Sequence, residues 1–367
     1  MENPAKPTVM AKQAEIAPPA PELPEETYQS AVDSALRLTD GLYPEDSGNP
    51  DRGLVRMALT YALAQAKLIR PIVADAVELK KWAVPYGGPE DNPYLQIDKV
   101  GSELAEKMLH MPQFVKLPLN GVYMEERGWL TAPQNPPAGG EGGPQWNGRD
   151  AAPGDKPDGN FLIIDPVDAS KSLVVGRKMP VTGIVILDQS GNLKTGSIVS
   201  HVDRRLLFYD GKEARYYDFD DAGNTVTARS TNRHGGCPEL EDVKFATHAR
   251  RIESHPDLVL WQKGRHELER IGGFAVLEIL DGNIHTCVDP RGQPAQDELF
   301  SAGIAEAAGL EVSDTEGKPI DYGLILTELR RGVQHRIPYA ISCNRDVHLQ
   351  TLNSLMAIVP AANQTSK

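Results

Sequence analysis

The chain has 367 residues, 40% of them hydrophobic, with 51 acidic against 38 basic side chains and a formal net charge of −13. Such a length can bury a core large enough for two lobes, and the acidic balance argues against nucleic acid or an anionic membrane as a partner, since long-range forces would repel both. Three widely spaced cysteines, Cys237, Cys287 and Cys343, suit reduced thiols in a cytoplasmic protein better than a disulfide framework, and no run has the length of a signal-peptide core or a bilayer span.

Residues 1–26 are rich in Pro, Ala and Glu, so a disordered arm is expected there. A short helix is expected over 27–42 and a longer one over 53–82, where Leu54, Met57, Ala58, Tyr61, Ala64 and Leu68 recur at helical spacing and Pro71 should bend or divide it. Tyr94 to Asp98 reads as an extended entry to a helix over 99–110, which places Asp98 at a helix start. Phe114–Leu117 and Gly121–Met124 read as a strand ending at Glu125-Glu126. The stretch 127–160, dense in Pro and Gly, reads as a flap or insertion near a site. Its glycine cluster Gly139-Gly140-Glu-Gly142-Gly143 follows no strand and opens no helix, so it reads as a loop and not as a phosphate cradle.

The stretch Phe161-Leu-Ile-Ile-Asp165-Pro166-Val167-Asp168-Ala169-Ser170 organises the rest. Four apolar residues read as a buried strand that delivers two carboxylates to its tip, with Pro166 stopping further pairing. More β-structure is expected over 181–187, 196–202 and 206–209, with Asp210-Gly211 as a hairpin turn. The polar stretch from Tyr216 marks a boundary between an N-terminal lobe, 27–215, and a C-terminal lobe, 216–358. In the second lobe we expect a strand over 243–248 and a helix over 256–264. A helix then runs from Arg270-Ile-Gly272-Gly273-Phe-Ala275 to Leu280, followed by an extended 284–288. A helix from Asp297 to Gly309, strands over 310–312, 324–326 and 337–343, and a closing helix over 347–358 complete a layered α/β chain.

Phosphoryl chemistry with divalent metals needs several oxygen ligands converging from separate elements. The candidates are Asp98 at a helix start, Glu125-Glu126 at a strand end, Asp165 with Asp168, and Asp297 opening a late helix. Asp165 and Asp168 flank a proline-bearing turn, so both can face one cavity together with the Val167 carbonyl. For that tetrapeptide alone, a carboxylate-capped turn explains the pattern equally well. His201, His248 and His285 stand singly and read as satisfied or surface histidines. Arg204-Arg205 and Arg330-Arg331 read as surface pairs. Lys171, Arg177 and Lys178 could meet a second phosphate or an acidic sugar, although a solvated charged turn is the ordinary reading.

Ile163-Ile-Asp165-Pro-Val-Asp168-Ala-Ser170 resembles the metal-binding signature of the inositol monophosphatase superfamily, which also holds fructose bisphosphatases, bisphosphate nucleotidases and inositol polyphosphate phosphatases. Glu125-Glu126, Ile97-Asp98, the stretch from Gly196 to Ala214, Arg270 to Ala275, and Asp297 to Gly309 are similar to further segments of that family in consistent order. The resemblance implies a sugar-phosphatase αβαβα sandwich and a Mg²⁺-dependent phosphomonoesterase with two or three ions. Glu125, Asp165 and the Val167 carbonyl would hold the first ion and Asp165, Asp168 and Asp297 the second, while Asp98 would act through water at a third with Glu125. Ser170 stands where the family's threonine helps Glu125 deprotonate the attacking water, and the N–H groups of Ala169 and Ser170 would receive phosphate oxygens. A small phosphorylated metabolite, first a sugar or cyclitol phosphate, is the implied substrate, with lithium inhibition; a homodimer is the expected assembly. The alternatives are a nucleotide 3′-phosphatase and a binding protein without hydrolysis, the latter motivated by Ala169, Gly273 and Gln296, which depart from the family pattern.

Overall fold

A computed structural model describes every residue except 1–20, 45–47, 88–93, 132–146, 149–158, 169, 171–172, 174–179, 221–225, 231–241, 248–266, 269–271, 291, 334–335 and 359–367. The expectations for Ala169, Lys171, Arg177, Lys178, Cys237, His248, the helix over 256–264 and the Gly139–Gly143 cluster lie outside the described residues.

Helix α1 (Glu25–Leu42) turns Tyr28, Ala31, Val32, Ala35 and Thr39 inward, a three-to-four repeat, against α2 (Arg52–Ala74). Within α2 every residue from Leu54 to Ile69 except Arg56 and Lys67 is buried, because the helix lies between α1 and a sheet. The helix expected over 53–82 is divided at Asp75 and not at Pro71. Pro71 sits in the last turn of α2, whereas Asp75 is extended and its carboxylate accepts the N–H groups of Val77 and Glu78 to open α3 (Ala76–Trp82). Strands β1 (Pro85–Gly87) and β2 (Tyr94–Leu95) pair just before α4 (Gln96–Leu109).

Among the described residues the main sheet has nine strands in the order β11-β10-β9-β8-β7-β6-β3-β4-β5. These are β3 (Leu119–Met124), β4 (Gly128–Thr131), β5 (Asn147–Gly148), β6 (Asn160–Asp168), β7 (Val181–Leu187), β8 (Leu193–Ser200), β9 (Arg205–Tyr209), β10 (Ala214–Phe219) and β11 (Val226–Ala228). Neighbours β3 and β6 are parallel and the other pairs antiparallel. Phe114–Leu117 is not part of β3: the N–H groups of Phe114, Val115 and Leu117 bond back three or four residues as turns, between Pro112 and Pro118. The first residues of the expected flap instead form β4 on β3, where Tyr123 and Trp129 meet edge to face at 5.3 Å. Pairing also continues past Pro166. Asp165 lies opposite Gly183 and Asp168 opposite Val181, so Pro166 and Val167 together face Thr182 and the strand bulges at the proline, which has no N–H to give. Residue 216 falls inside β10, so the main sheet runs on beyond the boundary expected there.

Helices α1, α2 and α4 cover one face of this sheet, and α5 (Gly273–Leu280) and α6 (Ala295–Ala307) the other. Beyond them lies a five-stranded sheet ordered β13-β12-β14-β16-β15, made of β12 (Phe245–Ala246), β13 (Glu267–Leu268), β14 (Thr286–Asp289), β15 (Glu311–Asp314) and β16 (Tyr339–Ser342). Leu352 and Leu355 of α8 (Arg345–Ile358) pack on Phe245, Val288 and Ala340 of that sheet, which completes an αβαβα sandwich. The stretch Leu324–Leu326, expected as a strand, belongs to α7 (Tyr322–Arg330). Asp321 caps it by accepting the Leu324 N–H, and Ile325, Leu326 and Leu329 are buried at helical spacing while Leu324 is exposed. Among the described residues, no helix is long and apolar enough to cross a membrane.

Candidate active site

The parallel pairing of β3 and β6 sets Met124 beside Ile164, so the residues that follow, Glu125 just past the end of β3 and Asp165 still within β6, come side by side. Asp297 arrives from the other half of the chain in the first turn of α6, which packs across β6 and β7. One carboxylate oxygen from each of Glu125, Asp165 and Asp297 lies within 4.8 Å of the others. Burial first, then Glu125, Asp297, Asp168 and Glu126, hold the Asp165 carboxyl well above the usual carboxylate range. Burial, Glu125 and Asp168 do the same to Asp297, against some relief from Asp165 and Arg336.

Asp297 Oδ1 is buried and accepts no hydrogen bond among the described residues. A buried carboxylate needs a donor or a cation, and a set made only of carboxylate oxygens is what a hard divalent ion takes. The residues therefore fit Mg²⁺.

The other expected residues surround this trio. Asp168 Oδ2 accepts the Gly273 N–H at 3.2 Å at the start of α5. Gly272 makes that approach possible: its φ is +66°, and a Cβ there would stand 2.3 Å from the same oxygen. The Val167 N–H donates to Asp165 Oδ1 at 3.1 Å, which fixes the bulge. Asp98, in the first turn of α4, accepts the Leu95 N–H at 2.7 Å and the Ser170 hydroxyl at 3.3 Å through Oδ2. Ser170 thus donates to Asp98, where the family pattern implied a partnership with Glu125.

Glu126, a candidate from the sequence without an assigned role, and Gln65 and Thr182, which the sequence reading missed, also contribute. Glu126 accepts the Ser102 hydroxyl at 2.9 Å, and burial, then Asp98 and Glu125, push its carboxyl well up, so it links the Asp98 end of the acidic set to the trio. Behind the bulge, the Pro166 carbonyl accepts Thr182 Oγ1 at 2.5 Å and Gln65 Nε2 at 3.2 Å. Thr182 Oγ1 also lies 2.9 Å from His201 Nε2. A hydroxyl has one proton, and Thr182 gives it to Pro166. His201 must then donate through Nε2–H and is neutral, which agrees with burial, then Arg70, lowering its pKa to about 3. The available signal was a polar side chain inside an apolar run, Gln65 in α2 and Thr182 in β7.

Arg205 is not at the surface. Its guanidinium is buried against Glu278 at 2.9 Å, Asp203 at 2.6 Å and Asp281, and stacks over Phe274 at 5.2 Å. Because Glu278 and Asp281 sit at the C-terminal end of α5, this cluster anchors the helix whose first N–H holds Asp168. His285 is buried, and its Nδ1 accepts the Lys244 N–H at 2.8 Å. Cys287 and Cys343 are buried.

No protein-family model matches the sequence, and no curated protein matches it. Solved structures do match in three dimensions. An inositol monophosphatase from Zymomonas mobilis superposes with a TM-score of 0.54 at 15% identity, covering 84% of this chain and 99% of its own. The chain has the inositol monophosphatase fold. The extragenic suppressor protein SuhB from Bartonella henselae matches with a TM-score of 0.56 at 16% identity over 82% of this chain and 99% of its own, and Mycobacterium tuberculosis SuhB with 0.54 at 16% over 85% and 98%. At such identities the inositol monophosphatase fold is what is shared, and activity must be argued from the site.

Proposed function

We propose that the protein is a Mg²⁺-dependent phosphomonoesterase acting on a small phosphorylated metabolite, a sugar or cyclitol phosphate first. The observation that carries this reading is the meeting of Glu125, Asp165 and Asp297 within 4.8 Å from three separate elements. In this reading Glu125, Asp165 and the Val167 carbonyl hold one ion, Asp165, Asp168 and Asp297 a second, and Asp98 with Glu125 a third. When bound, these ions supply positive charge against the phosphoryl oxygens and Lewis acidity toward water. The Ser170 hydroxyl, held by donating to Asp98 Oδ2, helps orient the attacking water, and Glu125 receives its proton. The Ser170 main-chain N–H binds a phosphate oxygen. Gly273, through its N–H, keeps Asp168 aimed at the site.

Two structural neighbours bear on the substrate: one is an IMPase/NADP phosphatase complexed with Mg²⁺ and phosphate, and another is bound to 2′AMP. A nucleotide phosphate is therefore the second substrate class. The same reading makes the protein a cytoplasmic homodimer inhibited by lithium; light scattering on the full chain and a LiCl titration test the last two. The primary experiment is a phosphate-release screen with Mg²⁺ over sugar phosphates, cyclitol phosphates and adenosine bisphosphate. Release by the wild type and its loss in Asp165→Asn and Asp168→Asn are expected. Activity that survives Asp168→Asn contradicts the metal role, and Mg²⁺ binding without release from any substrate points to a protein that only binds its ligand.

A further inference from the structure

A groove of 990 Å³ opens between α1, the C-terminal half of α2 and the end of β10, and none of the acidic-site residues line it. Thr27, Ser30, Ser34 and Arg37 come down one face of α1 at helical spacing, and Lys67 and Arg70 face them from α2. All six are hydrogen-bond donors and three are cations, in a chain whose net charge is −13. We propose that this groove binds a small polyvalent oxyanion, a metabolite bearing phosphate or several carboxylates, apart from the carboxylate cluster.

Three features favour such an occupant over bare solvent. Arg37 has no carboxylate partner among the described residues, although acids outnumber bases in the chain. Arg70 is fixed in advance: its Nη1 donates to the Asp220 carbonyl at 2.8 Å and its guanidinium lies 5.5 Å over the Phe219 ring, so little order is lost on binding. Lys67 is crowded; burial first, then Arg37 and Arg70, lower its pKa against the opposing pull of Asp220, a cost that an anion between the three cations would reverse. Glu26 at the rim is the opposing charge in the lining, and Leu63, Leu68 and Pro71 give the carbon part of a ligand an apolar wall. Acceptor-rich, multiply charged oxyanions answer a lining of this kind.

Equilibrium dialysis of the full chain in low salt with EDTA present, using pyrophosphate and citrate as probes, tests the proposal independently of any metal site. Saturable binding of at least one probe is expected, weakening as NaCl rises, about tenfold weaker in Lys67→Met and in Arg37→Ala, and unchanged in Asp165→Asn. Preference for pyrophosphate assigns the groove to phosphates, and preference for citrate to polycarboxylates. Arg37 is exposed, so its variant keeps the test open should Lys67→Met fold poorly in a melting control. Absence of saturable binding by either probe, binding undiminished in Arg37→Ala, or binding lost in Asp165→Asn overturns the proposal.

Discussion

Asp297→Asn separates the fold's interest from the site's. Two unit charges 4.8 Å apart repel by about 3.5 kcal/mol at an effective dielectric of about 20, so three ionised carboxylates carry about three such terms. It is cheaper for the metal-free trio to keep one proton, which at pH 7 costs about 4 kcal/mol for a carboxyl of ordinary pKa near 3.9. Asparagine removes that cost while nearly conserving shape. With about 2.1 cal/mol/K of unfolding entropy per residue over 367 residues, a gain of about 4 kcal/mol raises Tm by about 5 °C in EDTA. Divalent ion reverses the order: at a hundredfold excess over Kd the wild type gains about 2.7 kcal/mol, or about 3.5 °C, and the variant little. The raised carboxyls make the metal-free folded state bind more protons than the unfolded chain, so its stability falls as pH climbs above about 4, more steeply in the wild type than in the variant. Differential scanning calorimetry in EDTA and in MgCl₂ reads all of this. An Asp297→Asn protein that melts below wild type in EDTA at pH 7, or that gains as much from Mg²⁺, refutes the account of a repulsive trio awaiting cations.

Thr182→Val keeps the volume but strips the Pro166 carbonyl and His201 of their shared hydroxyl; a loss of about 1–3 kcal/mol in urea melts, with reduced phosphate release, is expected. Arg205→Met leaves Glu278 and Asp281 without their buried partner and should cost about 3–5 kcal/mol, read by the same melts. His201 remains neutral in the fold down to about pH 3, whereas an unfolded chain takes up the proton near 6.5. Its contribution is therefore complete above 6.5 and is lost as pH falls, by about 2 kcal/mol at pH 5. Against wild type, His201→Gln should flatten the decline of denaturant midpoints between pH 6.5 and 5, and an identical slope in the variant would remove His201 from the account.

Much of the fold was legible because period and punctuation agreed. The apolar run Phe161–Ile164, the stretch Val181–Leu187 and the helix ending at Leu280 all form as read, and acidic residues from separate elements converge as far as Glu125, Asp165 and Asp297. The misreadings occurred where two periodicities compete over a few residues. Leu324-Ile-Leu326 fits a strand by composition, and only the cap at Asp321 tips it to helix. Pro166 reads as a stop, but a bulge absorbs its missing donor and carries Asp168 onward. Contacts between distant residues were invisible: nothing local to Arg205 announces that Glu278 and Asp281, more than seventy positions away, will bury it.

That buried cluster has a thermal consequence. Water holds ions less firmly as it warms, so the dehydration that opposes Arg205, Glu278 and Asp281 shrinks with heating, while apolar contact gains no comparable advantage. The anchor on α5, and through Gly273 the aim of Asp168, should slacken in the cold and firm up toward the upper end of the working range.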